Sequence, residues 1–239
     1  MLRVKEYVNK QQQLKTNSVN YIPFYGLNGL NKYLPGFIPG VMYKFTSHTG
    51  NGKTQLTKYM TFTSLITSIK KGKKVKLVYV ALEESKEEFM DSLYLHIVNV
   101  YYKVPLFYFD LMGYSGKALT KIQTDALLKA EQFIKKEVLP NLHLITDVYT
   151  SSEIFYEVTK IAKLYGTVGD FDDSFKPDDP SMLFMLVVDH VSLIKDKEIS
   201  NFESIYIWHT QIAKRIISKE WKWIIIHVQQ QKLDAEKQH

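Results

Sequence analysis

The chain has 239 residues, which is enough for one large α/β domain with a full core and fewer than two average domains need. Its composition is that of a globular protein, and no apolar run approaches the roughly 20 residues of a membrane span. The absence of cysteine excludes disulfides and thiolate metal sites, and no secretion signal is present, so we expect a cytoplasmic protein, in the host cytoplasm if viral. The net charge of +6 suits a polyanionic partner and solubility equally.

The first residues are polar, with a few apolar side chains at loosely helical spacing. This pattern is equally typical of a short helix that docks on a neighbour and of a frayed tail. We therefore separate an N-terminal arm, residues 1–18, from one domain, residues 19–239. Two Pro-Gly pairs, at 35–36 and 39–40, predict turns just before the first core strand.

The segment SHTGNGKT is the strongest motif in the chain. It matches the P-loop pattern G-x-x-x-x-G-K-[ST] at every defined position except the first, where Ser47 replaces glycine. A strand-like run, residues 41–46, precedes it, and apolar residues at nearly helical spacing follow, which is the context that the motif requires. The alternative is a strand-to-helix turn that binds nothing. The candidate nucleotide-binding residues are Ser47, His48, Thr49, Gly50, Asn51, Gly52, Lys53 and Thr54.

The residue types in this segment suit a magnesium-bound triphosphate. Gly50 and Gly52 let the loop turn its backbone N–H groups inward, and the following helix points its positive dipole end at the phosphates. We expect Lys53 to reach the β- and γ-phosphates and the Thr54 hydroxyl to bind Mg²⁺.

A second strand is predicted over residues 75–82, after the lysine-rich turn 70–74. We interpret this turn as a solvated surface opposite the nucleotide, and a nucleic-acid-binding patch is the alternative. This strand delivers Glu83 and Glu84 at its carboxyl end, where ligands bind in open α/β sheets. A capped helix from Ser85 to Val100 follows, and residues 101–116 resist assignment. Further elements are a helix over 117–138, a strand over 142–147 and a capped helix over 150–165.

Residues 166–180 break the pattern and hold five aspartates, but they lack the turn glycine and terminal glutamate of a calcium loop, so we expect a solvated insertion. The apolar run 182–188 predicts a strand buried on both faces and ends in Asp189. In P-loop NTPases an acid at this place helps to hold Mg²⁺, although a turn-forming aspartate is the alternative. A capped helix over 200–220 and a strand over 223–228 complete the chain.

This alternation predicts an α/β fold with a mainly parallel twisted sheet, helices on both faces and nucleotide at the carboxyl edge. No internal repeat is evident, and the histidines show no metal-ligand spacing.

Four segments, in this order, resemble the RecA-like motor domain of DnaB-type replicative helicases. They are residues 26–40 with the P-loop, Ala81-Leu82-Glu83, residues 186–194, and His227-Val228-Gln229. The resemblance covers roughly residues 21–232 of the chain. The P-loop is specific only to NTPases, whereas the ordered set narrows the match to RecA and DnaB relatives. KaiC- and RadA-type ATPases share the double glutamate and remain close competitors.

The resemblance implies a RecA-like P-loop NTPase that hydrolyses ATP with Mg²⁺ at the interfaces of a ring-shaped homo-oligomer, expected to be a hexamer. It implies action on single-stranded DNA and contact with other replication proteins. Glu83 matches the catalytic glutamate, with Glu84 as its substitute if the register is off by one. Asp189 matches the Mg²⁺-associated acid. Gln229 matches the γ-phosphate sensor, although a plain polar strand end is an equal alternative, so the candidate catalytic residues are Lys53, Glu83 and Gln229.

Three departures from the family pattern separate two hypotheses. The primase-contact domain is absent, the chain stops at His239 shortly after the candidate sensor, and neither Arg3 nor Arg215 lies where an arginine finger belongs. Lys232 or Lys237 would serve only by weaker analogy. The chain is therefore either a fragment or a reduced ATPase. The first hypothesis is a motor domain of a helicase or translocase, and the second is a nucleotide-binding structural or regulatory module with little hydrolysis.

Overall fold

The structure, a computed structural model, describes residues 4–5, 21–48, 50–169 and 174–230 of the chain. Its centre is a five-stranded sheet in which every neighbouring pair of strands is parallel. The strands are β1 (Met42–Ser47), β2 (Val75–Ala81), β3 (Leu142–Ile145), β6 (Leu183–Asp189) and β7 (Ile224–Gln230), in the spatial order β1-β7-β6-β2-β3. A separate antiparallel hairpin joins β4 (Gly166–Val168) to β5 (Phe175–Pro177). The predicted parallel α/β sheet is confirmed.

Helices connect the parallel strands. They are α1 (Lys53–Lys70), α2 (Lys86–His96), α3 (Tyr108–Leu111), α4 (Lys121–Phe133), α5 (Ser151–Lys163) and α6 (Asn201–Tyr206). Wider π-helical turns continue α2 over Ile97–Tyr101, α4 over Ile134–Val138 and α6 over Ile207–Glu220. Single 3₁₀ turns cover Leu30–Lys32, Leu139–Asn141 and Val191–Leu193.

Capping boxes begin four of these helices, because a Ser or Thr side chain accepts from a backbone N–H while a Glu or Gln three residues later returns the bond. The pairs are Ser85 with Glu88, Thr120 with Gln123, Thr150 with Glu153, and Ser200 with Glu203. The starts predicted at 85, 150 and 200 are confirmed. The helix predicted from Lys117 begins only at Lys121, since Thr120 is its cap.

Both faces of the sheet are covered. Alternate side chains of β2 enter two cores: Leu77 and Tyr79 pack with α1, α2 and α4, whereas Val78 and Val80 pack with α5 and the helix over 207–220. Strand β6 is buried at every position, as a central strand covered on both sides must be. Among the described residues, no helix is both long and apolar enough to cross a membrane.

Residues 166–180 are a correction to the sequence prediction of a solvated insertion. The described part forms the β4–β5 hairpin, and Phe175 is buried against Phe184 and Trp223, with ring centroids 5.4 and 5.8 Å away. Asp170, Asp172 and Asp173 lie outside the described residues. This hairpin therefore extends the core beneath the sheet.

The parallel arrangement brings several strand ends to one edge of the sheet. Ser47 at the end of β1 is in register with Gln230 of β7, and Ala81 of β2 is in register with Asp189 of β6. The motifs that were identified separately in the sequence thus meet at the carboxyl edge, where ligands of open α/β sheets bind.

Candidate functional site

The loop between β1 and α1 has the shape of a phosphate cradle. Gly52 is the N-cap of α1, with φ +71°, and Gly50 has φ +80°, a left-handed conformation that glycine adopts without strain. A Cβ placed on either glycine would meet no heavy atom within 4 Å, so the space in front of the loop is open. Thr49 lies outside the described residues. The rest of the loop is compatible with the predicted nucleotide site.

Lys53 crosses this loop. It is the first residue of α1, it is buried, and its Nζ donates to the carbonyl oxygen of His48 at 2.8 Å. The Ser47 hydroxyl donates to the same oxygen at 3.2 Å, and the backbone N–H of Asn51 donates to it at 3.5 Å. The amine thus lies between the two ends of the cradle, which places a positive charge where the sequence predicts phosphates.

Thr54 and Asp189, which are 135 residues apart in sequence, meet at the base of the cradle. The Thr54 hydroxyl donates to Asp189 Oδ1 at 3.2 Å, and the Tyr79 hydroxyl donates to Asp189 Oδ2 at 2.9 Å. Burial raises the pKa of Asp189, and the bond from Tyr79 opposes that rise most strongly. Burial and the two nearby acids, Asp189 and Glu84, hold the pKa of Tyr79 well above its ordinary value, so it stays a donor. The structure thereby brings together the two residues predicted to bind Mg²⁺.

The two glutamates that follow β2 have different surroundings. The side chain of Glu83 is 62% exposed, and its Oε2 lies 2.8 Å from His190 Nε2. Glu84 forms an ion pair with Lys58, whose amine also donates to Ser92 Oγ at 2.9 Å. Burial raises the pKa of Glu84, and the hydrogen bond and charge of Lys58 oppose that rise. Glu84 Oε1 is buried and has no hydrogen-bond partner among the described residues.

Glu83 and Glu84 line two neighbouring cavities. A small cavity of about 80 Å³ is lined by Thr54, Ala81, Leu82, Glu83, Glu84 and Asp189. A larger cleft of about 680 Å³ lies between α1 and α2, and Glu83, Glu84, Lys58 and Ser92 are among its lining residues. Its volume is within the range of small-molecule sites. The carboxylates, the cradle hydroxyl and an open cleft therefore share one corner of the sheet.

Gln229 lies near the end of β7, in register with Thr46 of β1. Its Oε1 is buried without a hydrogen-bond partner among the described residues. His227, two residues earlier, is fully buried and anchors the strand: Trp208 Nε1 donates to its Nε2 at 3.2 Å. Its Nδ1 therefore carries the proton and donates to His209 Nδ1 at 3.0 Å. Burial lowers the pKa of His227 to about 3.

Tyr79, Lys58 and His190 are the site residues that the sequence did not reveal. Tyr79 is one residue of a predicted strand, Lys58 is one of many lysines, and His190 only follows Asp189. No local pattern identifies them, because each acts through a contact between distant segments. Two of the weaker candidates, Lys232 and Lys237, lie outside the described residues, as does Arg3. No group of three or more histidine and acidic side chains suited to a metal occurs in the described ranges.

No model of a known protein family matches the sequence, and no curated protein matches it. Among solved structures, the chain is similar to one reported as the structure of a DnaB-like replicative helicase and its interactions with primase. The TM-score is 0.68 and the sequence identity 12%; the match covers 98% of this chain and 49% of that one. This chain thus spans about half the length of the helicase chain.

At 12% identity the likeness shows the fold alone. The five-stranded parallel sheet with helices on both faces confirms the predicted α/β class, and the likeness to this structure is consistent with a RecA-like fold.

Proposed function

We propose that this chain is an ATP-hydrolysing motor domain, similar to that of DnaB-like helicases, that acts on single-stranded DNA. The observation that carries the proposal is the contact of Thr54 with Asp189, 3.2 Å long, at the base of a glycine cradle. This pairing of a hydroxyl with an acid is what a Mg²⁺-bound triphosphate requires. We further propose that the chain works as a ring-shaped homo-oligomer, expected to be a hexamer, together with other replication proteins.

Each candidate residue has a task in this proposal. The loop from Ser47 to Thr54 binds the phosphates through backbone N–H groups, and Lys53 neutralises their charge. Thr54 and Asp189 would hold Mg²⁺, which supplies charge compensation at the phosphate oxygens. Glu83 polarises the attacking water as a general base. Gln229 would sense the terminal phosphate through its amide NH₂ group, which can donate to phosphate oxygens.

A ledge of exposed side chains in the segments that follow β3 and β6, at the carboxyl edge of the sheet, suits single-stranded DNA. We define the ledge as Tyr149, Lys195, Lys197, Phe202 and Tyr206, all of which are exposed. Phe202 and Tyr206 lie four residues apart on one side of the helix that begins at Asn201. Aromatic faces stack on bases of any sequence, and lysines neutralise the backbone, so such a ledge binds in a salt-dependent manner.

The ledge is held in place by hydrogen bonds between its two loops. The backbone N–H of Lys195 donates to the carbonyl oxygen of Tyr149 at 2.8 Å. The Asp196 carboxylate accepts from the backbone N–H of Ser151 at 2.8 Å, and its own backbone N–H donates to Ser204 Oγ at 2.8 Å. Because these bonds link the loop after β3 to the loop after β6, the exposed rings have a rigid support.

A second candidate function is a nucleotide-binding structural or regulatory module that hydrolyses little ATP. The contact of Glu83 with His190 favours it, because this carboxylate is engaged by a protein group. The cradle would then bind nucleotide and stabilise an assembly. Both candidate functions predict the same affinity for ATP, but the second predicts little ATP turnover.

The test is ATP turnover with and without single-stranded DNA, for the wild type and Lys53→Ala, alongside calorimetric titration of Mg²⁺-ATP. We expect binding and DNA-stimulated turnover in the wild type, and loss of both in the variant. Binding with negligible turnover that DNA does not change would favour the second candidate. Absence of binding would refute both. The molar mass measured by light scattering in the presence of ATP and DNA tests whether the chain forms a ring-shaped oligomer.

A further inference from the structure

Lys58 connects three elements at the candidate site. It lies on α1, its amine is paired with Glu84 after β2, and it donates to Ser92 Oγ of α2 at 2.9 Å. The amine also lies 5.6 Å from the centre of the Phe89 ring. The Lys58 side chain is only 4% exposed, so its charge depends on these partners. Ser92 is itself held, because its hydroxyl donates to the carbonyl oxygen of Glu88 at 3.0 Å.

The pairing separates two carboxylates that are neighbours in sequence. Glu84 is drawn towards α1 and α2 by Lys58, whereas Glu83 is mostly exposed and contacts His190, the residue after Asp189. A planar peptide joins the two glutamates, so fixing Glu84 restricts where the Glu83 carboxylate can lie. The two side chains are thus held by different elements.

The lining of the two cavities does not distinguish the glutamates, since both line the small cavity and both line the larger cleft. The ion pair does. Lys58 holds the Glu84 carboxylate in the interior, where the Glu84 side chain is 19% exposed, whereas the Glu83 side chain is 62% exposed, so a water at the phosphate cavity can reach Glu83 more readily.

We propose that Lys58 is a positioning residue: it holds Glu84 in the interior so that Glu83 is the carboxylate presented at the phosphate cavity. The inference rests on the proposed ATP hydrolysis for its consequence in turnover. The placement itself is independent of turnover, and the two are tested separately.

Carboxyl labelling tests the placement. The wild-type protein is treated with a carbodiimide and glycine ethyl ester, and the modification of each glutamate is followed by tandem mass spectrometry. We expect Glu83 to react several-fold faster than Glu84, and Lys58→Met to bring the two rates together. Lys86→Met is the matched control, because Lys86 is exposed on the first turn of α2, and it should leave the ratio unchanged. Equal rates in the wild type would overturn the proposal.

Turnover tests the consequence. Glu83→Gln should lower kcat by about 10²- to 10⁴-fold, as expected for loss of a general base. Lys58→Met should lower kcat by about 10- to 100-fold with little change in the KM for ATP, because the carboxylate is present but misplaced. Lys58→Arg, which keeps the charge, should recover part of the loss. If Lys58 had a merely structural role, Lys58→Met would instead lower thermal stability and the active fraction of the protein, and the remaining active protein would keep its kcat.

Two further variants test whether a loss of activity comes from misfolding, and whether Glu84 and not Glu83 is the catalytic carboxylate. Lys58→Met/Glu84→Gln removes both charges, so no buried ion is left unpaired, and it should be no worse than the worse single variant. If Glu84→Gln abolishes turnover and Glu83→Gln does not, Lys58 orients the wrong glutamate and the inference fails. If the wild type binds but does not hydrolyse ATP, the proposed function fails and the labelling ratio still decides the placement.

Discussion

Replacing Tyr79 by phenylalanine removes one hydroxyl from the interior of the site and changes little else. The Tyr79 ring is fully buried and packs against Phe89, with centroids 4.8 Å apart, and a phenylalanine ring keeps that contact. What disappears is the 2.9 Å bond to Asp189 Oδ2. Among the described residues, the buried carboxylate then keeps the hydrogen bond from the Thr54 hydroxyl. The substitution therefore isolates one hydrogen bond to a buried acid.

The expected cost follows from the charge and burial of the acceptor. A hydrogen bond to a charged group contributes about 1.5–3 kcal/mol, and an acceptor left unsatisfied in the interior costs its desolvation. We therefore expect Tyr79→Phe to lower the free energy of unfolding by about 1.5–3 kcal/mol, which corresponds to about 3–12 °C in Tm for a chain of this size. Urea unfolding at pH 7.5 without nucleotide, followed by circular dichroism, measures it.

Tyr165→Phe is the matched control. Its hydroxyl lies 2.8 Å from His143 Nε2, at a partly exposed position, and burial lowers the pKa of that histidine, so the partner is neutral at pH 7.5. This variant should cost about 0.5–1.5 kcal/mol, as typical neutral hydrogen bonds do. If Tyr79→Phe costs no more than the control, Asp189 is not held as a buried carboxylate, and the reasoning about the Mg²⁺ site is wrong.

Three other predictions use different parts of the molecule. Gly52→Ala should cost about 1–2 kcal/mol from its left-handed backbone alone, whereas Gly36→Ala should prevent folding, since a Cβ there would lie 2.2 Å from the carbonyl oxygen of Ile22; thermal unfolding and soluble yield compare them. Burial lowers the pKa of His227 to about 3 and of His96 to about 4 from an ordinary value of 6.5. The stability that neutral His227 and His96 provide is therefore present above pH 6.5 and is lost as pH falls below that value, by about 1.4 kcal/mol each at pH 5.5, and His227→Gln should remove the His227 share of this loss in urea unfolding. Phe202→Ala and Tyr206→Ala should each weaken binding of single-stranded DNA by about 1–3 kcal/mol in fluorescence anisotropy, whereas Tyr156→Ala, an exposed tyrosine on α5, should not; equal effects would remove the ledge from the proposal.

The elements that the sequence predicted are those with local signals. A capping box occupies four consecutive residues, so the starts at Ser85, Thr150 and Ser200 were readable without tertiary information. Strand β6 could be predicted from the sequence because the side chains on both of its faces are apolar. The β4–β5 hairpin was not, because its strands are short and are stabilised by the contact of Phe175 with Trp223, which is far away in sequence.

The residues of the candidate site likewise fall into those with a local sequence signal and those without one. Lys53 and Thr54 belong to one contiguous motif, and Glu83 and Asp189 follow strands whose ends the parallel topology brings together. Tyr79 and Lys58 could not be found, because the bonds they make span 110 and 26 residues and depend on the order of strands and on helix packing. The sequence thus located the groups proposed to touch the nucleotide and not those that hold them.

The buried side of the site argues against a strand-to-helix turn without a ligand. A turn of that kind has no need of acids in the interior, where an unpaired carboxylate is costly. Here two carboxylates lie at adjacent strand ends, and burial raises the pKa of both. Each is held from within by a residue of the core, Asp189 by Tyr79 and Glu84 by Lys58. Because stability alone would favour apolar residues at these positions, the buried carboxylates support the proposal of a cation and a phosphate on the open side of the loop.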